Sequence, residues 1–148
     1  MAGHLLADRV QRYLARQTAW VEAELEAVDT TMPALAHPDA DLDAMAAAQE
    51  KRLRELEHFA RESQALLREW KAATDVPENM RKTVREQARK TQHLVNTLSE
   101  RSHAAAKAAS DAREQRRAEY DAARKGHQQL RKYHPHGDSN TGRIDRQV

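Results

Sequence analysis

The chain contains no cysteine. Disulfides, zinc–thiolate sites and thiol nucleophiles are therefore excluded. Glycine and proline number four each, too few for a fold built on tight turns. Aromatic residues are scarce, with one Phe, two Trp and three Tyr. Leu, Val, Ile and Phe together make only 22 of the 148 residues, too few for a thick globular core. No apolar run approaches the roughly 20 residues needed to cross a bilayer. Residues 1–8 lack the basic start and long apolar stretch of a secretory signal. The expectation is a cytoplasmic protein without membrane insertion.

Ala, Glu, Arg and Gln abound instead, and all are good helix formers. Helices with narrow apolar seams follow. The net charge is only +2 but is unevenly spread. Residues 1–74 hold 9 Lys+Arg against 13 Asp+Glu, and residues 75–148 hold 16 against 10. The basic half suits an acidic protein, a nucleic acid or an anionic membrane, or is a solvated helix face.

Prolines divide the chain. Pro33 and Pro38 flank one break, Pro77 marks a second, and Pro135 with Gly137 marks a third. The first helix is expected over about 4–31, where Leu6, Val10, Leu14, Val21, Leu25 and Val28 share a face. The second is expected over about 39–74, with Asp39 as its cap. A heptad frame there stacks Leu42, Gln49, Leu56, Ser63 and Trp70 in one column. Met45, Arg52, Phe59 and Leu66 form the other. The polar entries make it a bundle helix rather than an ideal coiled coil.

The third helix is expected over about 77–126, capped by Thr74 or Asp75, with Gly126 as weak point or terminator. Met80, Val84, Thr91, Leu94, Val95 and Leu98 form its early seam. Beyond Leu98 that seam continues only in alanines, including Ala105, Ala108, Ala109 and Ala112. Alanine offers little area for burial, so this stretch is expected to dock weakly on its own bundle. A partner's amphipathic helix would supply the missing apolar surface. The fold expected is all-α: an elongated antiparallel three-helix bundle over residues 1–132, with a long third helix. A flexible polar tail over 133–148 follows it.

No phosphate loop, nucleophile elbow or HExxH motif is present. His134 and His136 are two ligands on a polar tail, too few for a selective metal site. Neither a cofactor nor a metal is expected, and the chain reads as a binding protein rather than an enzyme. Arg113, Arg116, Arg117, Arg124, Lys125, Arg131 and Lys132 form a basic stretch. Acidic residues interrupt it and no stacking platform accompanies it, so nucleic acid is not the expected partner.

Three helical segments in this length resemble the FlgN-type flagellar export chaperones. The run Leu42 to Glu57 is similar to that family's second helix, and Thr91-Gln-His-Leu-Val-Asn-Thr-Leu to the start of its third. The ending Tyr133-His-Pro-His-Gly137 resembles its tail, as does the run from Gly142 to Val148. The resemblance implies a chaperone that binds the helical C-terminal segments of hook–filament junction subunits. It would prevent premature assembly and deliver them to the flagellar type III export gate. The client helix would lie on Leu94, Val95, Leu98, Ala105, Ala108, Ala109 and Ala112. Leu94→Asp and Leu98→Asp would then abolish binding. Gate docking would fall to Tyr133 and Gly137, with Tyr120 as the alternative tyrosine. The competing reading is a scaffolding coiled coil that forms a homo-oligomer through the third segment.

Overall fold

The computed structural model describes residues 2–133. Among them are three helices and no strand: α1 (Ala2–Leu35), α2 (Leu42–Ala72) and α3 (Glu78–Tyr133). The three helices pack as a bundle, as expected. The single bundle domain expected over 1–132 divides, however, into one compact unit ending at Asp111 and a second beginning at Ala112.

In the first unit, side-chain bonds fix the direction of each helix. Arg9 pairs with Glu69, Tyr13 reaches Phe59 and Ser63, and Arg52 meets Glu24. As α1 advances its partners in α2 recede, so this pair is antiparallel. The third helix instead tracks α1 at a constant offset. Thr18 bonds Thr91, 73 residues on, and Asp29 bonds Arg101, 72 residues on. Thus α1 and α3 run parallel, with α2 antiparallel to both.

The buried positions of α3 include Val84, Thr91, Leu98 and Ala105, spaced by sevens, with Ser102 and Ala109 beside them. That spacing is the knobs-into-holes repeat of coiled coils. Leu98 and Ala105 join Val21 and Val28 of α1 and Leu56 of α2 in the core. Trp20, Leu25, Leu53, Leu94 and Val95 pack around this cluster. The α2 heptad frame holds even where it is polar, since Gln49 and Arg52 are buried with Leu42 and Leu56.

The helix ends depart from expectation in four places. Pro33 lies inside the last turn of α1, which closes two residues later. A proline there forfeits one hydrogen bond without undoing the turn already built. The Ala36 and His37 amides then donate to Pro33 and Ala34 at 3.3 and 3.1 Å, tightening the exit. Asp41, not Asp39, caps α2 by accepting from the Ala44 amide at 3.1 Å. In α3, Pro77 directly precedes the helix and its carbonyl accepts the Arg81 amide at 3.0 Å. Gly126 does not end α3, which continues to Tyr133.

Asp75 serves a different helix from the one expected. Its carboxylate accepts the Gly3 amide at 2.9 Å, satisfying an orphan donor at the start of α1. Gly3 is buried there, and a Cβ added to it would stand 2.5 Å from the Asp75 carbonyl oxygen. Propensity alone favours alanine in a helix by about 1 kcal/mol. Gly3→Ala should nonetheless lower stability, by about 1–3 kcal/mol of overpacking. A thermal melt followed by circular dichroism reads the sign directly.

Gly126 offers the reverse case. Nothing lies within 4 Å of a Cβ built at this position. Gly126→Ala should therefore add helicity, stabilising the segment by about 1 kcal/mol. The mean residue ellipticity at 222 nm should become more negative and fray less on heating.

Candidate functional site

Within the first unit, the side chains expected to await a client are largely taken. Leu98, Ala105 and Ala109 are each fully buried. Leu94, Val95 and Ala108 are half-buried, the first two against the core cluster. This corrects the expectation of an open alanine seam. Small side chains let helices approach closely, so a stretch of little apolar area still buries its inward positions. Sequence reasoning measured the area of α3 and overlooked what Val21 and Val28 bring to it.

Polar bonds reinforce this closure. Arg52, only 6% exposed, donates from Nε to Glu24 Oε2 at 2.6 Å and from a terminal nitrogen to Gln49 Oε1. The Gln49 amide in turn reaches Thr31 Oγ1 at 3.5 Å. Thr91 donates to the Gln87 carbonyl at 2.9 Å, so Thr18 is the donor in the 2.8 Å bond between the two threonines. Tyr13 donates to the Phe59 carbonyl at 2.9 Å, which leaves Ser63 to donate to the phenol oxygen at the same distance. Burial pushes the Tyr13 phenol up from its usual range, with the Ser63 bond opposing it.

A cavity of about 220 Å³ opens between the helices, lined by Tyr13, Leu66, Trp70, Arg81, Val84 and Val95 among others. The Arg81 guanidinium lies 5.6 Å from the Trp70 ring centroid and also bonds the Ala73 carbonyl. Its wall is mainly apolar side chains of all three helices, and sequence periodicity gave no signal for it.

The second unit differs in kind. Ala112 is half-buried, and every residue from 113 to 133 except Gly126 is exposed. The large apolar side chains here are Tyr120, Leu130 and Tyr133, at 68%, 61% and 80% exposure. Helical spacing sets Ala112, Glu119, Ala123 and Leu130 along one stripe, with Tyr120 at its edge. Both tyrosines considered for gate docking are thus on the surface. Gly137 and the expected tail, Tyr133 apart, lie outside the described residues.

Among the described residues, no group of three His, Asp or Glu is placed to hold a metal ion. No helix among them is long and apolar enough to cross a membrane. Among the described residues the chain is an all-helical bundle with an exposed helical segment. No family model, curated protein or solved structure matches the chain.

Proposed function

We propose that the protein is a cytoplasmic binding protein that captures an amphipathic helix of another protein along residues 112–133. Its specific role, on this reading, is that of a FlgN-type flagellar export chaperone. The clients are helical segments of hook–filament junction subunits, and the destination is the export gate. The observation that carries the reading is the exposure of Tyr120, Leu130 and Tyr133 on a helical segment whose other side chains are nearly all exposed too. Exposed apolar side chains along a helix suit helix-on-helix recognition. The client site accordingly moves from Leu94 and Leu98 to Ala112, Tyr120, Ala123 and Leu130. Tyr133 remains free for the gate.

Calorimetry with the C-terminal helices of hook–junction subunits tests this. Leu130→Asp should weaken binding about tenfold or more, as for an interface anchor, with the melting temperature unchanged. Wild-type affinity in that variant would place the site elsewhere. Failure of every helical secretion substrate to bind would remove the chaperone reading. A stable homo-oligomer in sedimentation would favour the scaffold instead.

A further inference from the structure

The exposed segment carries seven Lys+Arg against three Asp+Glu between residues 113 and 133. Wound as a helix, its arginines are not scattered. Arg117, Arg124 and Arg131 recur at seven-residue intervals, about 10.5 Å apart along the axis. All three are exposed, and none takes part in an ion pair among the described residues. Their column lies beside the stripe of Ala112, Ala123 and Leu130, with Tyr120 between the two. Glu114 and Asp121 fall roughly a sixth to a quarter of a turn from the column, and Glu119, seven residues after Ala112 and four before Ala123, falls on the stripe itself. The acids that interrupt this run in sequence therefore lie off the arginine column on the helix.

From this arrangement we infer that the partner's helix is acidic, with carboxylates repeating every seven residues along the flank that meets Arg117, Arg124 and Arg131. The inference rests on the helix-capture reading and adds the chemistry of the partner. A stripe of small and apolar side chains, broken by Glu119 and bordered by one column of like charge, is the layout by which paired helices choose partners through flanking charges. A second helix has the same axial rise, so its heptad carboxylates meet the arginines in register. Arginine suits the contact because its planar fork takes a carboxylate bidentately. A second copy of this chain would oppose positive segments to one another. A phosphate backbone would engage the cations and leave Leu130 and Ala123 uncovered.

Fluorescence anisotropy with the full-length protein tests the inference. The probes are four-heptad synthetic helices with leucine cores and Glu, Gln or Lys on their flanks, and duplex DNA of about 20 base pairs. The Glu peptide should bind about tenfold or more tighter than the Gln peptide and weaken as salt rises. The triple variant R117E/R124E/R131E should lose the Glu peptide and gain the Lys peptide. Circular dichroism should show its fold intact, and R117Q/R124Q/R131Q should fall between. Equal binding of Glu and Gln peptides would overturn the acidic partner while leaving helix capture standing. DNA binding tighter than the Glu peptide would overturn it in favour of nucleic acid. No binding of any peptide would end both readings.

Discussion

Leu98→Asp should unfold the three-helix unit outright. Leu98 is fully buried and touches the cluster shared by Val21, Val28, Leu56 and Ala105. Truncation to alanine at such a site costs about 2–5 kcal/mol through lost transfer energy and the cavity left behind. A carboxylate must in addition be desolvated or neutralised among apolar neighbours. Small domains are stable by only about 5–15 kcal/mol, so this change removes most or all of that. Chemical denaturation of Leu98→Asp should show no native baseline, and Leu98→Ala a clearly lowered midpoint. A folded Leu98→Asp with an ordinary midpoint would mean that this position is not core. The contrast with Leu130→Asp matters for function. Lost binding in the first variant reports unfolding, and lost binding in the second reports the surface.

Glu24→Ala should be the most damaging change among the charged residues. It strands the Arg52 guanidinium, which is 6% exposed and otherwise bonded only to Gln49 among the contacts described. Removing one partner of a buried pair costs about 3–5 kcal/mol. The Glu24 side chain is 27% exposed, so water can approach and about 2–3 kcal/mol is expected after that discount. Replacing both partners, Glu24→Leu with Arg52→Met, should recover most of the loss because no charge then remains buried. Urea midpoints of wild type, Glu24→Leu, Arg52→Met and the double variant form the cycle that checks it. Strict additivity would show that the two side chains are not coupled.

Much of the fold was legible because heptad spacing survives substitution by polar residues. The α2 frame placed Gln49 and Arg52 at inward positions, and both are buried. It could not reveal that they bond one another, since that depends on Glu24 and Thr31 arriving from α1. Tyr13 and Gln17 were missed in α1 for the same reason: polar atoms hide a side chain whose body is core. Helix ends were legible to within a few residues, but a cap is chosen by tertiary contact. Asp75 reads as a local cap and instead binds the amide of Gly3, 72 residues away.

The candidate site was legible only in part. A shortage of large apolar side chains after Leu98 is real, but exposure does not begin where the seam turns to alanine. Ala105 and Ala109 are sealed, and exposure sets in after Ala112. Counting apolar area along one helix cannot locate that boundary. It falls where the neighbouring helices stop supplying contacts, and that is set by their lengths and offset. The arginine column was present in the sequence too. It was obscured by reading charges in linear order rather than around the helix axis.

The parallel course of α1 and α3 has a kinetic meaning. No hairpin can join two helices that point the same way, so each bond between them closes a loop of more than seventy residues. Either antiparallel pair, α1 with α2 or α2 with α3, can zip from its shared turn, whereas the contacts between α1 and α3 form only through long-range search. Assembly is thus ordered in time, with a two-helix platform built around α2 first and the remaining outer helix laid down last.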